Sequence, residues 1–330
     1  MTGTDTPCAV VVGGANVDVL ARTHTAGLAG DSLPGDIGVS AGGVARNIAD
    51  NLARLLQAPG GPQGQVHLLS AWGSDPLGLW LRSSTEACGV DTTGGWAPKG
   101  ARSAAYLALH DATGELAGAV NDMAVLAGWP AMHLADALRP RLSGSAALVL
   151  DGNLSPEQID AALNSTGPLP PLFVDPVSAH KAARWRPWLS RIHTLKPDRL
   201  EAAVLLGLDP ALTHDAQRLI DGLHDAGVAR VFLSGGPQGL LWSVRDPGQP
   251  AQSGLQPSLV RGVVNTSGAG DALMAALVYG HLLLDDWTWP ERVRWASACS
   301  ALTVESPHTV APDLTPAAVA ALLDEINAPT

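Results

Sequence analysis

The turn Asn265-Thr266-Ser267-Gly268-Ala269-Gly270-Asp271 runs straight into the apolar stretch Ala272-Leu273-Met274-Ala275-Ala276-Leu277-Val278. Small residues at the mouth of a helix leave backbone N–H groups uncovered, and with the helix dipole they form a site for an anion such as phosphate. Asp271 then sits beside that anion. The same residues also read as a plain helix start with an acid in its first turn, so other parts of the chain must decide. Three stretches bear on it. Asn16 and Asp18 alternate with apolar neighbours, which puts both side chains on one face if the segment is extended. Gly42 and Gly43 let a ligand come close to the backbone just before a helix, and Asn47 lies one turn into that helix. In Asp198-Arg199-Leu200-Glu201, an acid followed three residues later by Glu before an apolar run reads as a capping box. The alternative is that Glu201 orders a water-bound magnesium ion, which keeps several waters and few protein carboxylates.

The elements that position these residues read as a series of buried strands alternating with helices. Cys8-Ala9-Val10-Val11-Val12, Val66-His67-Leu68-Leu69, Ala147-Leu148-Val149-Leu150, Leu172-Phe173-Val174, Ile192-His193-Thr194-Leu195 and Val231-Phe232-Leu233 are continuous apolar runs that end in Gly or polar residues. Later strands are expected at 239–244 and 258–264, with surface loops at 58–65 and 247–257. Helices are expected from Val44, from Gly270, from about Pro290 and from about Thr315. Ligands of open α/β sheets bind outside the carboxyl ends of the strands, so the recurring polar ends predict one cleft along that edge. Between 102 and 120 the texture changes to two strand-like segments joined by Asp111-Ala112-Thr113-Gly114, a hairpin signal. With residues 15–40 it is expected to form a small β lid over the sheet.

Composition sets the outer bounds. The 330 residues are 46% hydrophobic and carry a net charge of −11, which is globular and argues against both a general nucleic-acid grip and an anionic membrane surface. Three cysteines at no metal-like spacing suggest neither a disulfide framework nor a zinc site. The expectation is a cytoplasmic protein.

Taken together, Gly42-Gly43-Val44-Ala45-Arg46-Asn47-Ile48-Ala49 and Thr266-Ser267-Gly268-Ala269-Gly270-Asp271-Ala272 resemble the two signatures of the ribokinase-like (PfkB) carbohydrate kinases, with Gly73-Ser74-Asp75-Pro76-Leu77-Gly78 between them. The resemblance covers nearly the whole chain. It implies a single kinase domain over 1–330, a three-layer α/β/α body with a mostly parallel sheet, and lid segments at about 15–40 and 100–122. Within the family, Asn121-Asp122-Met123, Asp151-Gly152-Asn153-Leu154-Ser155-Pro156, Asp175-Pro176-Val177-Ser178 and the segment around Lys196 are similar to pseudouridine kinases.

Carried over by position, Asp271 is the general base and Gly268, Ala269 and Gly270 hold the transferring phosphoryl group. Asn16, Asp18, Gly42, Gly43 and Asn47 bind the sugar; Ser234, Gly236, Gly239 and Ala298 line the nucleotide side. Glu201, through water, and Asp198 assist Mg²⁺. The implied reaction is ATP-dependent phosphorylation of the 5′-hydroxyl of pseudouridine, with ribose or another nucleoside as the alternative acceptor and a non-catalytic nucleoside-binding regulator ranked below both. A homodimer through the lid is also implied. Besides Leu273, which stands where the family usually has Phe and reads as a packing change, two positions depart from the family pattern. Asp198 replaces an asparagine, and Asn265 stands where many relatives carry an aspartate tied to a monovalent-cation site.

Overall fold

The computed structural model describes residues 6–25, 31–164, 166–209 and 214–328. Residues 26–30 of the expected lid segment lie outside them. The strands are β1 (Cys8–Val12), β2 (Asn16–Thr23), β3 (Gly35–Gly42), β4 (Gln65–Leu69), β5 (Ala105–His110), β6 (Leu116–Asp122), β7 (Ala147–Asp151), β8 (Leu172–Asp175), β9 (Thr194–Leu195), β10 (Arg230–Ser234), β11 (Leu240–Val244) and β12 (Gln252–Gln256). The helices are α1 (Val44–Leu56), α2 (Pro76–Glu86), α3 (Ala124–Ala127), α4 (Ala131–Leu142), α5 (Pro156–Asn164), α6 (Ala179–Ala182), α7 (Arg199–Leu206), α8 (Ala216–Asp225), α9 (Ala269–Leu283), α10 (Trp289–Val304) and α11 (Pro316–Asn327).

Eight strands form the main sheet in the order β12-β11-β10-β9-β8-β7-β1-β4. Pairing is parallel from β4 to β10 and antiparallel at the β10–β11–β12 end. The central strands β1, β7 and β8 are apolar up to their carboxyl-terminal residues because both faces are covered. Along β1, Ala9 and Val11 pack into the core shared with α1, α9, α10 and α11, whereas Val10 and Val12 pack into the core shared with α4, α5, α7 and α8. The result is three layers, helices on both faces of one sheet.

The sequence places the edge strand wrongly. The stretch 258–264 is irregular, and the last strand is β12, inside the 247–257 stretch read as a loop. Its residues Gln252-Ser253-Gly254-Leu255-Gln256 are polar or glycine apart from Leu255 and mostly exposed, as suits an edge strand whose pairing with β11 supplies the order.

The lid is a separate four-stranded sheet in the order β3-β2-β5-β6. Register across it aligns Val39, Val19, Leu107 and Val120 on one face, and Ser40, Asp18, Tyr106 and Asn121 on the other. The polar face carries the residue expected to meet the sugar.

Candidate functional site

The carboxyl ends of β7, β8 and β9 deliver Asp151, Asp175 and Lys196, all nearly inaccessible to solvent. Asp151 closes the first turn of the site. It accepts hydrogen bonds from the N–H of Gly14 (2.9 Å), Ala45 (3.0 Å) and Asn153 (2.8 Å), and from Asn153 Nδ2 (2.9 Å). One carboxylate therefore ties the end of β1 and the start of α1 to the end of β7. Gly43 is required at this junction: its φ is 101°, and a Cβ there would stand 2.5 Å from the Gly14 carbonyl oxygen.

Asn47, in the first turn of α1, donates from Nδ2 to Asp271 Oδ2 at 2.9 Å, joining the two sequence signatures across 224 residues. Asp271 lies in the first turn of α9, behind Gly268, whose left-handed φ of 80° opens the helix. The Thr309 carbonyl packs where a Cβ on Gly268 would be, so only glycine fits this turn. The leading N–H groups of a helix have no intrahelical partner, and those of α9 start from the half-buried residues Gly268, Ala269 and Gly270. Beside them, Lys196 Nζ lies 3.0 Å from the place a Cβ on Gly270 would occupy and 3.0 Å from Asp175 Oδ2. Helix terminus and buried ammonium thus converge on one spot, which suits a phosphoryl group.

The electrostatics follow from burying several acids around one lysine. Burial, with repulsion from Asp175, pushes the Asp271 carboxyl up to about 7 against the pull of Asn47 and Lys196. Burial likewise pushes Glu201 up to about 7, although the Asp198 N–H and Lys196 oppose it. Burial alone lowers Lys196, but Asp175, Glu201 and Asp271 outweigh it and hold the ammonium above its ordinary range. Asp271 is therefore a carboxyl that exchanges its proton near neutral pH beside a fixed positive charge.

Asp198 and Glu201 form the expected capping box of α7: Glu201 N–H donates to Asp198 Oδ1 (2.7 Å) and Asp198 N–H to Glu201 Oε2 (2.8 Å). Asn16 Nδ2 donates to Asp18 Oδ1 at 2.6 Å, and Gly42 lies so close to the Asp18 carboxylate that any side chain there would displace it. Burial raises the Asp18 pKa against the opposing pull of Asn16 and Arg46.

On the nucleotide side, Ser234 ends β10 with its N–H and hydroxyl both turned to the Pro197 carbonyl (2.9 and 3.2 Å). Gly236 faces open space, while Gly239, at φ 91°, passes tightly under the Gln256 carbonyl. Ala298 is not brought to the cleft. Its side chain is fully buried in the helical core, and it is Ser300 on α10 that reaches the anion turn, donating to the Ala269 carbonyl at 3.0 Å. Asn265 accepts from Ser267 N–H (2.9 Å) and donates to the Pro307 carbonyl (3.3 Å), so its amide holds the turn in place.

Four residues of the site lie in the quoted sequence segments but were given no role there: Asp151, Asp175, Lys196 and Arg46. The first three occupy the first polar position at or after an apolar strand, which was the available signal. Arg46 offered none. It is almost fully buried, pairs with Asp50 at 2.8 Å and donates to Asn47 Oδ1 at 3.2 Å, which orients the Asn47 amide with its NH₂ toward Asp271.

The pfkB family carbohydrate kinase model matches residues 8–316. The chain belongs to this family. Pseudouridine kinase of Escherichia coli (strain K12) is 36% identical over 319 residues, 96% of each chain. A carbohydrate kinase from Agrobacterium tumefaciens superposes with a TM-score of 0.80 at 26% identity, covering 97% of both chains. Arabidopsis thaliana ribokinase, solved with ribose and ATP, superposes with a TM-score of 0.76 at 19% identity over 96% of this chain and 99% of that one. The fold is therefore the ribokinase-like α/β/α sandwich, and the chain is a phosphotransferase of the sugar and nucleoside kinase type that acts on a hydroxyl group. Kinases of this fold use ATP. Among the described residues, no helix is long and apolar enough to cross a membrane.

Proposed function

We propose that the chain transfers the γ-phosphoryl group of ATP to the 5′-hydroxyl of pseudouridine, giving pseudouridine 5′-phosphate and ADP. The observation that carries this reading is a cavity of about 270 Å³ between the lid and the ends of β7 and α6, lined by Asn121, Met123, Asn153, Ser155, Lys181 and Arg184 among others. Asn121 shares the polar lid face with Asp18, so a sugar held at Asp18 extends toward this cavity. Ribose alone would leave it to water. A uracil ring offers two carbonyl acceptors and, when C-linked, two N–H donors, which matches a wall of amide, hydroxyl and cationic groups. The 36% identity to a pseudouridine kinase supports the same choice.

In this reading Asn16, Asp18, Gly42, Gly43 and Asn47 hold the sugar and present its 5′-hydroxyl to Asp271. The free Oδ1 of Asp271 takes the hydroxyl proton as the new O–P bond forms. The bond from the γ-phosphorus to the bridging oxygen breaks, and ADP carries away the electron pair. Gly268, Ala269 and Gly270 offer backbone N–H groups to the equatorial oxygens, and Lys196 balances charge from below. Ser234, Gly236 and Gly239 shape the nucleotide loop.

The residues fit a magnesium ion held mainly by phosphates and water. No cluster of three metal-binding side chains is present among the described residues, and Glu201, with Oε2 committed to the cap, keeps Oε1 for an ordered water. Asp198 is the secondary candidate, since its Oδ1 is also committed to the cap. Bound Mg²⁺ would offset charge on the triphosphate.

We infer that two copies pair through their lids. The centre of the outward face of the lid is apolar, with Ile37 74%, Val39 50% and Val120 66% exposed, a sheet face that an identical face covers by simple two-fold stacking. The chain is assigned to the cytoplasm, where ATP is supplied. An acceptor panel with ATP tests the substrate: pseudouridine should exceed ribose and uridine at least tenfold in kcat/KM, and strong ribose turnover without pseudouridine turnover would overturn the proposal.

A further inference from the structure

Two lysines face the cleft with separate tasks, Lys196 at the phosphoryl spot and Lys181 in the wall of the cavity beside the lid. Both trace back to one turn. β8 ends at Asp175, and Pro176 and Val177 redirect the chain before α6. Ser178 N–H returns to the Pro176 carbonyl at 2.9 Å, which closes a three-residue γ-turn about Val177. The φ of Val177 is 71°, a value that strains a β-branched residue. Among the described residues, Gln63 is the only other non-glycine residue with a positive φ, and it lies in the loop before β4, outside the cleft.

Strain of this kind persists only where the surroundings over-determine it, and here they do. Val177 N–H donates to Asp175 Oδ1 at 2.9 Å, and Gly152 N–H donates to the Asp175 carbonyl at 2.8 Å. The Pro176 carbonyl lies against Gly152, in the space a Cβ would need.

We propose that Val177 is a positioning residue whose turn sets both lysines at once, Lys196 through Asp175 and Lys181 through α6. On the phosphoryl side, the Val177 N–H occupies one oxygen of the nearly buried Asp175 carboxylate and leaves the other, Oδ2, to Lys196 Nζ at 3.0 Å. On the acceptor side, the φ of Val177 sends the chain into α6. The Ser178 carbonyl accepts from the N–H of Lys181 (2.9 Å) and Ala182 (2.8 Å), and Lys181 Nζ then donates to Asn153 Oδ1 at 2.5 Å. Asn153 is held from its other end by Asp151, at 2.9 Å, so the cavity wall and the anion turn are aligned through a single backbone angle. The proposal rests on reading the cleft as a nucleoside kinase site.

Val177→Gly and Val177→Pro in the full chain give the test. Glycine takes a φ of 71° without strain and keeps the N–H; proline fixes φ near −65° and has no N–H. Val177→Gly should hold kcat within about threefold of the parent with no fall in Tm. Val177→Pro should lower kcat by about tenfold or more, because both lysines leave their places. It should also lower the ratio of kcat/KM for pseudouridine over ribose by about fivefold or more. That ratio is read on whatever fraction folds, and a purely structural role would leave it unchanged. Gly152→Ala, which presses on the Pro176 carbonyl and leaves Val177 in place, should reproduce the paired losses from the other side. Parental kcat and ratio in Val177→Pro, or loss of one without the other, would overturn the proposal. An equal loss in Val177→Gly would overturn it too, since the side chain rather than the turn would then be at work. A parent enzyme with no preference for pseudouridine would instead overturn the acceptor reading, and kcat of the variants with its best acceptor would still test the turn.

Discussion

Asp151 and Asp271 are two buried aspartates at the same edge of the sheet, both pushed upward by burial, and they are solvated by the protein in different ways. Asp151 receives four donors and has no oxygen left over. Asp271 receives Asn47 on Oδ2 alone, with Lys196 near it as a charge rather than a ligand. A carboxylate saturated by backbone N–H groups is a joint; one left half-satisfied beside a helix terminus is available to a substrate proton. The difference lies in the count of donors, since burial is common to both.

Asp151→Asn breaks this contrast most strongly on the side of stability. The amide turns an NH₂ group toward donors that need an acceptor, at a cost of about 3 kcal/mol. Thermal melting should show a large drop in Tm with loss of activity through loss of the fold. Removing the single donor to Asp271 has a smaller effect of another kind. Asn47→Ala should lower kcat by about tenfold or more and leave Tm within a few degrees of the parent, as read by steady-state kinetics beside melting.

Arg46 sharpens the comparison further, because it acts on Asp271 only through Asn47. Arg46→Met frees the Asn47 amide to rotate, so kcat should fall while KM for ATP stays unchanged. Asp50→Asn, which loosens Arg46 without removing it, should do the same more weakly. The two substitutions Arg46→Met and Asn47→Ala should be non-additive in a double-mutant cycle, since both reach Asp271 by one bond.

The smallest effect is on pH-dependent stability. The folded pKa of Asp271, about 7, lies above its ordinary value of 3.8, so its contribution is present below pH 4 and is lost as pH rises through 7. His193 acts in the opposite sense: burial, with Arg230 next, lowers it from 6.5 to about 3, so stability from keeping it neutral is present above pH 6.5 and lost as pH falls. Between pH 6 and 8, Tm of the wild type should therefore decline relative to Asp271→Asn, and a parallel course of the two melting curves would show that Asp271 does not titrate in this window.

Much of the site was legible because its two signatures are short and contiguous. Gly43, Asn47, Gly268 and Asp271 each sit where a turn meets a helix, and glycine with a polar neighbour is visible at such points. Asp151, Asp175 and Lys196 were harder, because each is a single polar residue at a strand end and only the order β9-β8-β7-β1 brings them together. The Asp198–Glu201 pair shows the reverse problem: its spacing serves a capping box whether or not an ion is near, and the box is formed. Ala298 was carried to the nucleotide side by its place in a motif, but the rotation of α10 turns it inward and turns Ser300 toward Ala269. The misplaced edge strand has a similar cause. The stretch 258–264 holds more apolar residues than β12, but an edge strand is defined by a partner's unpaired backbone, which composition does not record.

The central claim is that Asp271 is the spare carboxylate of this edge and removes the acceptor proton. Asp271→Asn, assayed with ATP and pseudouridine beside equilibrium binding of each, measures this directly. Turnover should fall by about 10²- to 10⁴-fold with both substrates still bound and no loss of Tm. Turnover near the wild-type rate with intact binding would contradict the assignment.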